Sequence, residues 1–148
     1  MRHPQLAELP CTVARPAALL GERWMLLLLR QVFLGTRRFE DFQSAMDISR
    51  SVLADRLGVL VDEGVLRRVP YAHEGRTRHE YRLTEKGLDL YPVLVALRTW
   101  GERWMAPDEG EQFSLHHKDC GGDVQAKVEC TECGASLTAR DVRVTPNA

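Results

Sequence analysis

The residue types able to do metal or redox chemistry lie mostly near the C-terminus. His117 and Cys120 stand three apart, as do Cys130 and Cys133, and Gly134 follows the second pair directly. A Cys-x-x-Cys-Gly turn lets two thiolates converge on one ion while backbone N–H groups point at sulfur. Two such turns joined by a short hairpin would supply four tetrahedral ligands, His117, Cys120, Cys130 and Cys133, and the expected ion is zinc. His116 competes with His117 for the first corner. Four protein ligands close the coordination sphere, so the expected role is folding rather than catalysis. A tail this small has little core and would owe most of its order to metal. A redox disulfide or a pair of surface thiols is the rival reading of the two cysteines. Cys11 stands alone ahead of the first expected helix. A thiol near a helix start can have a lowered pKa, with Arg15 as a further aid; the rival reading is an unreactive, half-buried cysteine.

A second set of residues suits phosphates and base edges. Ser49, Arg50 and Ser51 open a well-marked helical segment, residues 49–63, with Ser49 as its N-cap and Gly64 as its stop. Ile48 and Leu53 suit a hydrophobic staple, and Leu53, Leu57, Leu60 and Val61 form one apolar stripe. A shorter segment, residues 39–46 (FEDFQSAM), precedes it across a two-residue connection. Short helix, tight turn and capped helix make a helix-turn-helix, whose second helix places its leading turn in the major groove. Arg50 is the best candidate for a guanine edge. Two extended runs, residues 65–71 and 79–83, flank a polar stretch containing Gly75 and read as a hairpin. This hairpin carries Arg67, Arg68, Arg76, Arg78 and Arg82 against only Glu74 and Glu80. Guanidinium groups there, Arg76 and Arg78 foremost, suit phosphates or the minor groove, and Arg37 and Arg38 could clamp the backbone on the other flank.

The remaining elements must hold these in place. The chain has 148 residues with 44% hydrophobic and 28% charged, the composition of an ordered domain with a possible appendage. Its formal net charge of -1 gives no global field for nucleic acid, so the local arginine excess must serve. The fold class expected is α+β, mainly α. Three regions are expected: a leader (1–12), a winged domain including a dimerisation helix (13–106), and a small zinc-ribbon-like tail (107–148). Thr12 is expected to cap a first helix ending at Gly21. Residues 22–34 are apolar almost all round and should form the most buried helix, ended by Gly35. Thr84 is expected to cap a long helix to about residue 105, kinked or restarted at Pro92. Its Leu88, Tyr91, Val95, Trp100 and Trp104 exceed what a small core needs. Residues 24–34 are too short and too interrupted to span a bilayer, so no membrane partner is expected. The first ten residues lack the apolar core of a signal peptide, so a reducing, cytoplasmic location is expected.

Residues 11–101 resemble the HxlR family of bacterial regulators, a winged-helix relative of the MarR type. The resemblance rests on Cys11, the runs GERWMLLLLRQVFLGTRRFEDF, ISRSVLADRLGVLVDEGVLRR and YRLTEKG, and Trp100-Gly101. It implies a sequence-specific regulator that binds a pseudo-palindromic operator in double-stranded DNA as a homodimer. It also implies recognition by residues 49–63 and pairing through the first helix and the long helix after Thr84. For Cys11 it implies a redox sensor, and a small-molecule or oxidant inducer would follow. Residues 71–78 (YAHEGRTR) depart from the family pattern in lacking its wing proline.

No nucleotide-binding glycine loop, Gly-x-Ser-x-Gly elbow or His-Glu-x-x-His helix is present, so no enzyme is expected. Two rival functions stand beside the operator-binding reading. One is a zinc-responsive regulator with the tail as sensor. The other is a winged-helix adaptor that docks a protein and does not bind DNA.

Overall fold

A computed structural model describes residues 4–147. It is mainly helical with one two-stranded antiparallel sheet. In chain order the elements are α1 (Pro4–Glu8), α2 (Ala14–Leu20), α3 (Met25–Phe33), α4 (Phe39–Ala45) and α5 (Arg50–Asp62). There follow β1 (Leu66–His73), β2 (Arg76–Leu83), α6 (Glu85–Leu88) and α7 (Tyr91–Trp104), and a single 3-10 turn (Ala139–Asp141) lies near the end. Two compact units result, Met1–Tyr91 and Pro92–Ala148.

In the first unit the core is built from Met25, Leu28, Leu29 and Val32 of α3, Phe42 of α4, and Leu53, Leu57 and Leu60 of α5. The spacing within α3 is the i, i+3, i+4, i+7 pattern of one buried face. Leu27 and Leu34 are exposed, so α3 is not buried all round, as its composition had suggested. Six consecutive apolar residues say nothing about which face is inward.

Thr12 does not cap α2. The helix starts two residues later, at Ala14, and it is the Cys11 sulfur that accepts the Ala14 N–H, at 3.4 Å. Ser49 does cap α5, its Oγ accepting from the Val52 N–H at 3.4 Å. Ile48 and Leu53, the staple pair, are both buried. Gly35 and Gly64 end α3 and α5 with φ of 100° and 70°, a region that only glycine occupies without steric cost.

The hairpin is longer than its apolar pattern implied. Pairing runs from Leu66↔Leu83 to His73↔Arg76, leaving a two-residue turn, Glu74-Gly75, with both φ positive. That is the hairpin turn whose twist matches its strands. Residues 71–78 join the strands although neither face of them is apolar, because the ladder needs backbone pairing alone.

Thr84 binds the exit of the hairpin to the exit of α5. Its hydroxyl donates to the Gly64 carbonyl at 2.5 Å and accepts from the Gly87 N–H at 3.1 Å. The helix it caps, α6, is a single turn; α7 restarts at Tyr91, with Pro92 in its first turn, where a missing N–H loses nothing.

The second unit joins α7 to the tail. Arg98 donates to the Phe113 carbonyl at 2.6 Å, and Thr99 Oγ1 accepts from the Ala126 N–H at 3.4 Å. Among its described residues the tail holds isolated bridges, His116↔Asp123 and Glu129↔Ser136, and no strand-forming ladder.

Candidate nucleic-acid interface

Helices α4 and α5, with the bend at Met46 to Asp47 between them, form the helix-turn-helix. The leading turn of α5 faces solvent: Ser49, Arg50, Ser51, Ala54 and Asp55 are all exposed, while Leu53 and Leu57 point inward. The cap thus fixes the helix start without hiding it. Ser49 and Ser51 hydroxyls stand 3.4 Å apart. Arg50 places its guanidinium carbon 4.8 Å from the centre of the Phe39 ring. Such stacking, worth about 0.5–1 kcal/mol at an exposed site, limits the rotamers of the long side chain before any ligand arrives. Further along, Arg56 pairs with Glu22 at 3.2 Å and also with Asp55, tying α5 to the α2–α3 connection.

The wing is braced against α4 at several points. The Tyr81 N–H donates to the Arg37 carbonyl at 2.7 Å, laying residue 37 along the edge of β2. In the ladder Tyr71 lies opposite Arg78, and Glu80 is two residues on, so the three share a face. Arg78 pairs with Glu40 of α4 at 3.6 Å. Glu80 accepts from Arg82 at 3.0 Å and from Arg38 at 3.4 Å. The Arg82 hydrogen bond first, then Arg38, holds the Glu80 carboxyl below its ordinary range. Arg38 also lies over the Tyr71 ring, at 4.5 Å. Arg76 is exposed beside the turn, and the Arg37 side chain is exposed.

Of the residues singled out from sequence, Ser49, Arg50 and Ser51 therefore cluster on one exposed helical turn. Arg38 and Arg78 are drawn into ion pairs with the chain's own carboxylates. Phe39, Glu40, Tyr71 and Glu80 were not singled out. The signal for them, a cross-strand register that places Tyr71 beside Arg78, depends on the full length of the hairpin.

In the tail, His117 Nδ1 lies 3.2 Å from Cys120 Sγ. The two knuckles repeat one backbone pattern. Gly121 and Gly134, with φ of 72° and 70°, donate to the His117 and Cys130 carbonyls at 2.8 and 2.9 Å. The His117 and Cys130 N–H groups donate to the Gly122 and Ala135 carbonyls at 2.8 and 2.9 Å. Backbone N–H groups of Cys133 and then Glu132 lower the Cys130 thiol from its ordinary value. His116 faces Asp123 instead, at 3.2 Å. Among the described residues no three of His, Cys, Asp and Glu gather into a group that could hold an ion. The donors stand as two separate pairs, His117 with Cys120 and Cys130 with Cys133.

Cys11 is exposed, and the Ala14 N–H, followed by that of Val13, lowers its thiol from the ordinary value. On α7, Val93, Leu97, Trp100 and Trp104 are exposed and recur at alternating spacings of four and three, the a/d seam of a paired helix. Among the described residues no helix is long and apolar enough to cross a membrane.

A capped helix with an exposed leading turn, preceded by a short helix and followed by an arginine-bearing hairpin, defines a winged helix-turn-helix protein. Residues 19–109 match the family model described as HxlR-like helix-turn-helix. The chain belongs to this family of transcriptional regulators, which are not enzymes. It is 43% identical over 135 residues to the uncharacterised HTH-type transcriptional regulator Mb3122 of Mycobacterium bovis, covering 91% of this chain and 85% of that one. It resembles the crystal structure of PA1607 with a TM-score of 0.85 and 37% identity, over 97% of this chain and 99% of that one. A partial match, with a TM-score of 0.58 and 29% identity over 63% of this chain and 92% of the other, is the reduced form of HypR, described as a redox regulator.

Proposed function

We propose that the chain acts as a homodimer on a pseudo-palindromic DNA operator, with one α5 entering the major groove in each half-site. The observation that carries this reading is the exposed turn at Ser49, Arg50 and Ser51 beside a wing rich in arginine. The apolar seam of α7 supports pairing, because a run of exposed aromatic and aliphatic side chains at heptad spacing buries well only against a partner. Arg37 and Arg76, both exposed, would meet phosphates; Arg38 and Arg78 would do so after exchanging or sharing their carboxylate partners. Cys11 would be the switch, since an exposed thiol with a lowered pKa is oxidised or alkylated readily, and HypR offers a redox precedent.

Zinc would join the two knuckles, with His117, Cys120, Cys130 and Cys133 as ligands and tail folding as its contribution. Their matching backbone turns and the approach of His117 to Cys120 support this donor set. The pairs would have to close on one ion.

The test is selection of bound duplexes from random DNA, run with and without an oxidant. A two-fold-symmetric motif lost on oxidation fits the proposal. Recovery of no enriched motif refutes sequence-specific binding, and a motif indifferent to oxidant refutes the thiol switch.

A further inference from the structure

The Arg38 side chain is held from three directions. Its backbone sits at the N-cap of α4, where its carbonyl accepts from the Phe42 N–H at 3.1 Å. The adjoining Arg37 carbonyl is pinned to the Tyr81 N–H, so the position is tied to both the helix and the wing. The guanidinium then lies over the Tyr71 ring at 4.5 Å and directs Nε at Glu80 Oε1 at 3.4 Å. The side chain is still 47% exposed, whereas that of Glu80 is 15% exposed. Nε of the guanidinium is thus occupied, and the outer two nitrogens make no hydrogen bond among the described residues.

A fork with its inner nitrogen fixed and its outer pair free has the geometry that grips a phosphate with two parallel hydrogen bonds. An unrestrained arginine would lose rotamer entropy on binding; here much of that ordering is done in advance. Arg50 shows the same stacking on Phe39, the residue that follows Arg38.

We propose that Tyr71 and Glu80 are positioning residues that aim Arg38 at a DNA backbone phosphate. This rests on the operator-binding reading above. The rival explanation is that the three residues only fasten the wing to α4, with no part in binding.

Duplex affinity as a function of salt separates these, using an operator duplex and an unrelated one. Arg38→Ala should weaken both duplexes alike and reduce the slope of log K against log salt by about 1.8, the value for one phosphate contact from each of two subunits. Tyr71→Leu keeps every charge and should weaken both by about five- to thirtyfold, the worth of one stack in each of two subunits. Glu80→Gln releases Arg82 as well as Arg38, so the coupling to Arg38 is read from Tyr71→Leu. In the Arg38→Ala background, Tyr71→Leu should then have no further effect on affinity. Thermal midpoints of all variants report the fastening role separately. An unchanged salt slope in Arg38→Ala, or losses that simply add in the double variant, overturns the assignment. Absence of salt-dependent binding by the unaltered protein overturns the operator reading itself, and is recognised before any variant is compared.

Discussion

The guanidinium of Arg50 is stacked on the ring of Phe39, with 4.8 Å between the guanidinium carbon and the ring centre. The first long donor of α5 is therefore shelved on the first residue of α4. Arg50→Ala should cost about 1–3 kcal/mol on the selected sequence and relax preference at one base position. Competition binding against single-base variants checks this. An equal loss on all sequences would make Arg50 a phosphate contact instead.

Gly87 and Gly58 should respond oppositely to alanine. A Cβ at Gly87 would collide with the Val65 carbonyl oxygen and press on Leu83, where Thr84 draws α6 against the end of α5. Gly87→Ala should destabilise by about 1–3 kcal/mol. Gly58 lies inside α5 with nothing near its missing Cβ, and Gly58→Ala should stabilise by about 0.5–1 kcal/mol. Denaturant melts of the two variants give both signs in one experiment.

The Cys11 thiol carries a testable pH signature. Thiolate is the nucleophile, and a lowered pKa raises its fraction at every pH below the ordinary thiol value. Alkylation of Cys11 by iodoacetamide should therefore reach half its maximal rate at lower pH than a free cysteine does. Peptide mass mapping reads this site apart from the tail cysteines. A half-point at or above that of free cysteine would show that the Ala14 and Val13 N–H groups do not stabilise the thiolate.

Cys133→Ser should lower the zinc content of purified protein and loosen the tail, because a tetrahedral structural site loses affinity steeply with one thiolate gone. Elemental analysis with limited proteolysis after residue 106 provides the measurement. Metal content equal to that of the unaltered chain would remove Cys133 from the ligands.

Much of the helix-turn-helix was legible because its signals are local. Ser49, Ile48, Leu53 and Gly64 mark α5 within a short span of chain: Ser49 caps it, Gly64 ends it, and Ile48 and Leu53 are buried. The outer wing was not legible, since His73, Arg76 and Arg78 offer no apolar alternation from which to count a register. Nor could local pattern have found Arg38 with Glu80 or Arg78 with Glu40, pairs made across roughly forty residues by the hairpin's twist and length. Cys11 displaced Thr12 at the start of α2 for a different reason. Both are acceptors near a helix start, and the choice turned on where the first helical residue falls.

The grouping of α7 with the tail changes how the molecule can be dissected. Truncation after Ala106, the natural place to excise a winged domain, would strip Arg98 of the Phe113 carbonyl and Thr99 of the Ala126 amide. The shortened protein would retain the residues of α7 yet lose two of its tethers, so any weakened self-association would be ambiguous in origin. Point substitutions at the knuckles leave the chain whole and are the cleaner route to asking what the tail does for the helix beneath it.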